Sequence, residues 1–309
     1  RMVLNKNPEI ISADKTLTFK ELRDFKNINN AVNYLIDREI DNSLYGGHLS
    51  QIVWFEKKLN VEIIRYISDI LSIFIEMTER RNLFMHADGI VNNRYLSICK
   101  QNGVVLGREI KIGSQLGMSS EYLRSVHDCF YEISAKITYI LWRKINPRDN
   151  KSGEVMFNNK IVVGLIKRKK YDLAYRLADF AINYFQDSDD VNIKLFHINR
   201  ALAKKLKGEE VEAISLINRI DWEGSRDEFR LARDIIINNF KEALVLMKRI
   251  GKKGEIIRQQ NYESDPIFIP IRELPEFINL FKKIYREDYI TSETRTYMEL
   301  IGNSISKQA

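Results

Sequence analysis

Apolar residues recur at i, i+3, i+4 and i+7 along most of this chain. That is the spacing of one face of an α-helix, and few stretches alternate as strands do. The clearest run opens at Val61, where Ile63, Ile64, Ile67, Ile70, Leu71, Phe74 and Ile75 predict one long amphipathic helix. Asp88-Gly89 is a turn signal that ends this helix or its continuation. Upstream, Thr18 followed by Glu21 has the form of a capping box and opens a helix over 19–25. Further helices are expected over 27–37, 48–58 and 121–144. The stretch 103–117 carries four glycines, and Val104-Val105-Leu106 within it reads as a short strand or a packed loop.

The polar run from Asn146 to Gly153 holds both Pro and Gly and follows an aromatic-rich helix. It places a linker at 147–154, between a first domain over 1–146 and a second over 155–290, with a tail at 291–309. The second domain repeats a template: Tyr171-x-x-Ala174-x-x-Leu177, Glu210-x-x-Ala213-x-x-Leu216 and Phe240-x-x-Ala243-x-x-Leu246. Each copy follows another helical stretch, at 155–167, 192–206 and 227–238. Small residues at fixed places let neighbouring helices approach closely, and spacings in the thirties suit stacked helix hairpins. Over about 155–251 this resembles tetratricopeptide repeats in architecture, with a closing helix over Pro275–Tyr285. The expected fold class is therefore all-α, a helical bundle followed by an α-solenoid.

Composition narrows the setting. Of 309 residues 44% are hydrophobic and 29% charged, as in folded globular chains. No apolar run reaches the length of a membrane span; the longest candidate, 61–77, is broken by Glu62, Arg65, Asp69 and Glu76. No apolar signal-type core opens the sequence, so the expected location is cytoplasmic. Cys99 and Cys129 sit among apolar neighbours and read as buried thiols of a reducing compartment. Neither has Cys or His partners at ligand spacing, and no metal or cofactor is expected. A net charge of +7 favours an acidic partner such as nucleic acid.

Candidate chemistry concentrates at the end of the long helix, in Glu79-Arg80-Arg81-Asn82-Leu83-Phe84-Met85-His86. Arg81 and His86 are five positions apart, about 140° around an ideal helix, yet a long guanidinium near a helix end reaches the same solvent as the imidazole. RNA cleavage without metal needs such a pair. A base takes the proton of the ribose 2′-hydroxyl, for which histidine titrates in a useful range. A fixed cation then stabilises the charge that builds on the phosphorane oxygens. Asn82 orients either group or hydrogen-bonds the phosphate, and Arg80, Asn93 and Arg94 are the candidate substrate contacts.

Arg81-Asn82 followed by His86, at the end of a long helix, resembles the HEPN superfamily. The run Arg81–Asn92 looks particularly like HEPN proteins of bacterial abortive infection. The resemblance implies a metal-independent endoribonuclease acting as a toxin or antiviral effector, in which a homodimer lines one cleft with both motifs. One subgroup carries a tyrosine two residues after the histidine as a modification site. Asp88 stands there in this chain. The repeat domain then reads as a docking surface for a protein partner.

Two non-enzymatic functions compete for the same residues: a HEPN/repeat scaffold, and an RNA-binding adaptor without cleavage. Arg80 and Arg81 also suit the negative end of a helix. His48 reads as a turn or cap residue, His127 and His197 as core. Lys167-Arg168-Lys169-Lys170 reads as a solvated loop between two helices, and Trp54, Trp142 and Trp222 as packing residues.

Overall fold

The computed structural model describes residues 1, 4–5, 11, 16–44, 47–291 and 294. Apart from residues 291 and 294, the tail expected at 291–309 lies outside the described residues. Among those described, every regular element is helical, beside one isolated antiparallel bridge between Ile90 and Gln115. None of the described helices is long and apolar enough to cross a membrane. The chain divides into two compact units, Arg1–Gly153 and Glu154–Ala309.

Unit 1 holds α1 (Phe19–Arg23), α2 (Ile28–Leu44), α3 (His48–Leu59), α4 (Ile64–His86), α5 (Asn93–Gln101) and α6 (Ser120–Ile145). The capping box forms: the Glu21 amide donates to Thr18 Oγ1 at 3.3 Å, and the Thr18 amide to Glu21 Oε2 at 2.7 Å. Nothing buries α1, so it stops after five residues. Helix α4 is the axis of the unit and packs against α3, α5 and α6. Its buried Ile67, Ile70, Phe74 and Ile75 form one wall of the core, with Cys129, Ile133 and Ile140 of α6 among the buried residues of the unit. Phe74 and Phe130 meet edge to face at 5.3 Å.

The sequence pattern does not reveal α5. It has only nine residues, and Asn92 starts it by accepting the Tyr95 amide at 3.0 Å. Val104 and Leu106 take the packed-loop alternative: they lie against the buried cluster of Leu83, Val91, Tyr95, Cys99 and Leu116, while Val105 is 96% exposed.

One expectation needs correction. His127 is exposed beside Asp128, at 3.0 Å, rather than core. The inward line of α6 runs through Cys129, Ile133 and Lys136, and a residue two places before Cys129 is turned away from it. The two units divide within the stretch 147–154, at Gly153–Glu154, and that stretch is itself helical. Pro147 opens a 3₁₀ turn, Pro147–Asp149, that runs straight into helix α7 (Asn150–Met156). Proline is tolerated there because the first helical turn has no use for its missing N–H.

Helix α7 continues through a π-helical segment, Phe157–Val162, into α8 (Val163–Lys167). Then come α9 (Tyr171–Tyr184), α10 (Asp190–Lys207), α11 (Glu210–Asn218), α12 (Asp227–Ile236), α13 (Phe240–Ile250), α14 (Gln259–Ser264) and α15 (Pro275–Tyr285). Helix α10 packs on α9, α11 and α12, and α12 on α13. The template alanines Ala174, Ala213 and Ala243 are wholly buried, and Leu177, Leu216 and Leu246 lie beside them in the core. Of the run Lys167–Lys170, Lys167 closes α8 and the other three make the tight turn into α9, with Lys169 at φ 59°.

One half-buried group makes unit 2 sensitive to pH. Burial, aided by Arg200, pulls the His197 imidazole down from 6.5 to about 4. Between those values the unfolded chain binds the proton and the folded chain does not, so stability rises with pH across that window. Below it the loss is complete. Urea midpoints measured from pH 4 to pH 7 should therefore fall more steeply on acidification for the natural chain than for His197→Gln. Equal slopes would contradict this.

Candidate functional site

The C-terminal end of α4 is built by three devices. The carbonyl of Leu83 accepts from the Ala87 amide at 2.7 Å and the Gly89 amide at 3.1 Å, which closes the helix at His86. Asp88 and Gly89 both take positive φ, 49° and 76°, and reverse the chain. The loop 113–116 then pins residues 88–91 in place. Val91 donates to the Ser114 carbonyl at 2.9 Å, Gly113 to Val91 at 2.8 Å and Leu116 to Gly89 at 3.0 Å, while Gln115 Nε2 donates to the Asp88 carbonyl at 2.6 Å.

A side chain at position 89 meets both strain and atoms. Its Cβ would lie 2.8 Å from the Phe84 ring and 2.9 Å from Gln115 Nε2. Gly89→Ala should cost about 1–3 kcal/mol by thermal unfolding, since the backbone conformation disfavours any side chain. Asp88→Gly, at the neighbouring positive φ, should cost nothing or stabilise.

Behind this turn lies a buried polar hub. Glu76 Oε1 accepts from Arg80 Nε at 2.6 Å and from the Tyr95 hydroxyl at 2.7 Å, and Oε2 accepts from the Tyr122 hydroxyl at 3.2 Å. The Arg80 guanidinium also stacks over the Tyr122 ring, 4.2 Å from its centre. Burial and then Glu76 push both tyrosine hydroxyls far above their usual range. Burial disfavours the Arg80 charge, but Glu76 together with Tyr122 and Tyr95 outweighs it, and the pKa is raised. Burial, with Glu76 next, lifts the Cys99 thiol to about 11, which leaves it inert. Cys129 is likewise a buried free thiol.

In front of the turn opens a cavity of about 320 Å³, at the small end of ligand sites. Helix α4 contributes Glu79, Asn82, Leu83 and His86, which stand at i, i+3, i+4 and i+7, on one stripe. Asn92, Arg94 and Tyr95 face them from the start of α5. Asn82 joins the stripe to its flank: its Nδ2 donates to Glu79 Oε1 at 3.3 Å, and its Oδ1 accepts from the Arg81 guanidinium at 3.2 Å.

The structure thus brings together Asn82, His86 and Arg94 of the residues singled out from sequence. Arg81 lies outside the cavity lining, exposed, and is linked to it through Asn82. Arg80 turns inward to Glu76 and, more weakly, to the Gly117 carbonyl at 3.4 Å. Asn93 is exposed on α5 outside the lining. Neither Arg81 nor Arg94 is paired with a carboxylate among the described residues. Sequence reasoning gave no role to Glu79, although its distance of seven from His86 signals a shared helix face.

Chemically the site offers a carboxylate, an imidazole, two amides and the Arg94 guanidinium around a solvent-open hollow, with the Arg81 guanidinium tethered just outside it. Among the described residues, no group of three His, Cys, Asp or Glu is placed to hold a metal ion. Comparison with protein-family models, with curated proteins and with solved structures yields no match.

Proposed function

We propose that unit 1 is a metal-independent endoribonuclease of the HEPN type. The observation that carries this reading is the sharing of one open cavity by His86, Asn82 and Arg94, with Arg81 tethered to the Asn82 amide. His86 exchanges a proton with the reacting ribose or its leaving group. Arg81 neutralises the charge that develops on the phosphate, which a forked guanidinium does well, and Arg94 holds the substrate backbone. Asn82 keeps Arg81 beside the cavity. Arg80 supports the helix end through Glu76, which differs from the substrate contact expected from sequence.

The same reading makes the protein an effector of toxin or antiviral kind acting in the cytoplasm. This part rests on the resemblance of the run Arg81–Asn92 alone. Arg81 and Met85, one turn apart on α4, are both exposed, Met85 by 60%. That uncovered face suits a second copy of the chain, in a dimer whose motifs face each other. The helix pairs of unit 2, stacked through buried alanines as in tetratricopeptide repeats, are its docking surface for a protein partner.

The test is direct. Purified protein incubated with total RNA and EDTA should cleave it, and the same preparation should run as a dimer by light scattering. Intact RNA, or cleavage that EDTA abolishes, would sink the reading.

A further inference from the structure

Attack by a 2′-hydroxyl moves two protons. One leaves the nucleophile as O2′ bonds to phosphorus, and another must reach O5′ as the P–O5′ bond breaks. Within one protomer His86 supplies only one of these functions at a time, and a guanidinium supplies neither, because it stays protonated.

Resting on the ribonuclease reading above, we propose that Glu79 is the general base of this site and His86 its general acid. The two stand seven residues apart on α4, two turns less about 20°, so both project from one stripe. Their Cα atoms are separated by about 10.5 Å of helix rise, a span that two long side chains close around one phosphodiester. Both line the same cavity. Asn82 sits midway and gives one N–H to Glu79. Its second N–H is left for a phosphate oxygen. Arg94 faces the stripe from α5.

An ionised carboxylate only accepts protons, which fixes the direction of transfer. Glu79 takes the 2′-hydroxyl proton while O2′ attacks. The protonated His86 ring gives its proton to O5′ as that oxygen leaves. The products are a 2′,3′-cyclic phosphate and a 5′-hydroxyl. The enzyme is left with a protonated Glu79 and a neutral His86, and exchange with water restores both.

A substrate with sulfur in place of the bridging 5′ oxygen separates the two functions, because a thiolate leaves without a proton. Single-turnover cleavage is measured on a short RNA pool of random sequence, with oxygen or with sulfur at one central linkage. Glu79→Gln should lose roughly 10²–10⁴-fold on both substrates. His86→Ala should lose a similar factor on the oxygen substrate and recover most of it on the sulfur one. Glutamine still accepts the Asn82 amide, so a residue that merely positions Asn82 would survive this change. Glu79→Gln cleaving like the natural chain would overturn the proposal, as would its rescue by sulfur. Failure of the natural chain on both substrates would instead remove the ribonuclease reading, and the division of labour with it.

Discussion

His86→Ala is expected to lower chelator-resistant RNA cleavage by roughly 10²–10⁴-fold, the usual worth of one proton-transfer group. Arg81→Ala should lose roughly 10²–10³-fold, as for removal of one group that stabilises developing charge. The double variant should be little worse than the more damaged single one, because residues that act as a unit are not additive. Folding gives no reason for these losses. Both residues are exposed at the end of α4, and neither joins the buried cluster beneath them. Melting temperatures of the variants should therefore match the natural chain within about 2 °C, since exposed substitutions stay within about 0.5 kcal/mol. A large drop in stability would assign these side chains a structural role instead.

The second large effect belongs to stability. Glu76→Ala should destabilise unit 1 by about 3–5 kcal/mol, the usual cost of removing one partner of a buried ion pair. The side chains of Glu76 and Arg80 are only 11% and 15% exposed, so the stranded guanidinium gains little from water. The Tyr95 and Tyr122 hydroxyls lose their acceptor in the same step. Tyr95→Phe removes a single hydroxyl from the hub and should cost about 1 kcal/mol. Denaturant midpoints of the two variants check the ranking. The reverse order would mean that Glu76 is not the centre of this network.

This hub explains how a site of exposed groups is held in place. Arg80 and Arg81 are adjacent on α4 and point to opposite tasks. One is committed to Glu76 and Tyr122, and the other is exposed beside Asn82. The hub ties α4 to Tyr95 on α5 and Tyr122 on α6, so the two sides of the cavity are fixed to each other from behind. On the proposed ribonuclease reading, such preorganisation would spare the site the cost of ordering at the moment of reaction.

The long helix, its stop at Asp88-Gly89 and the Thr18–Glu21 box were legible because each rests on local rules: apolar period, turn chemistry and capping. The buried alanines of α9, α11 and α13 were legible through their repeated spacing. The motif separates Arg81 from Arg80 as the candidate catalytic cation, but the inward turn of Arg80 is not legible, since helix position alone does not say which of two neighbouring cations meets a buried acid. That acid, Glu76, is four residues before Arg80, a spacing that is usually a surface pair. Helix α5 escaped because nine residues give the apolar period little room, and its one clear signal is the cap at Asn92. The cavity depends on how α5 folds back over α4, a long-range fact set by the Ile90–Gln115 bridge and its neighbours. His127 was misread because an apolar neighbourhood in sequence does not fix the angle around the helix.

The most direct measurement is the chemistry of the cut ends. RNA treated with the natural chain in EDTA should carry 2′,3′-cyclic phosphate on one side of each break and 5′-hydroxyl on the other. A 2′-deoxy substitution at the scissile nucleotide should block that break. Breaks that survive the 2′-deoxy substitution, or that leave 5′-phosphate, would contradict attack by the 2′-hydroxyl and with it the role assigned to this cavity.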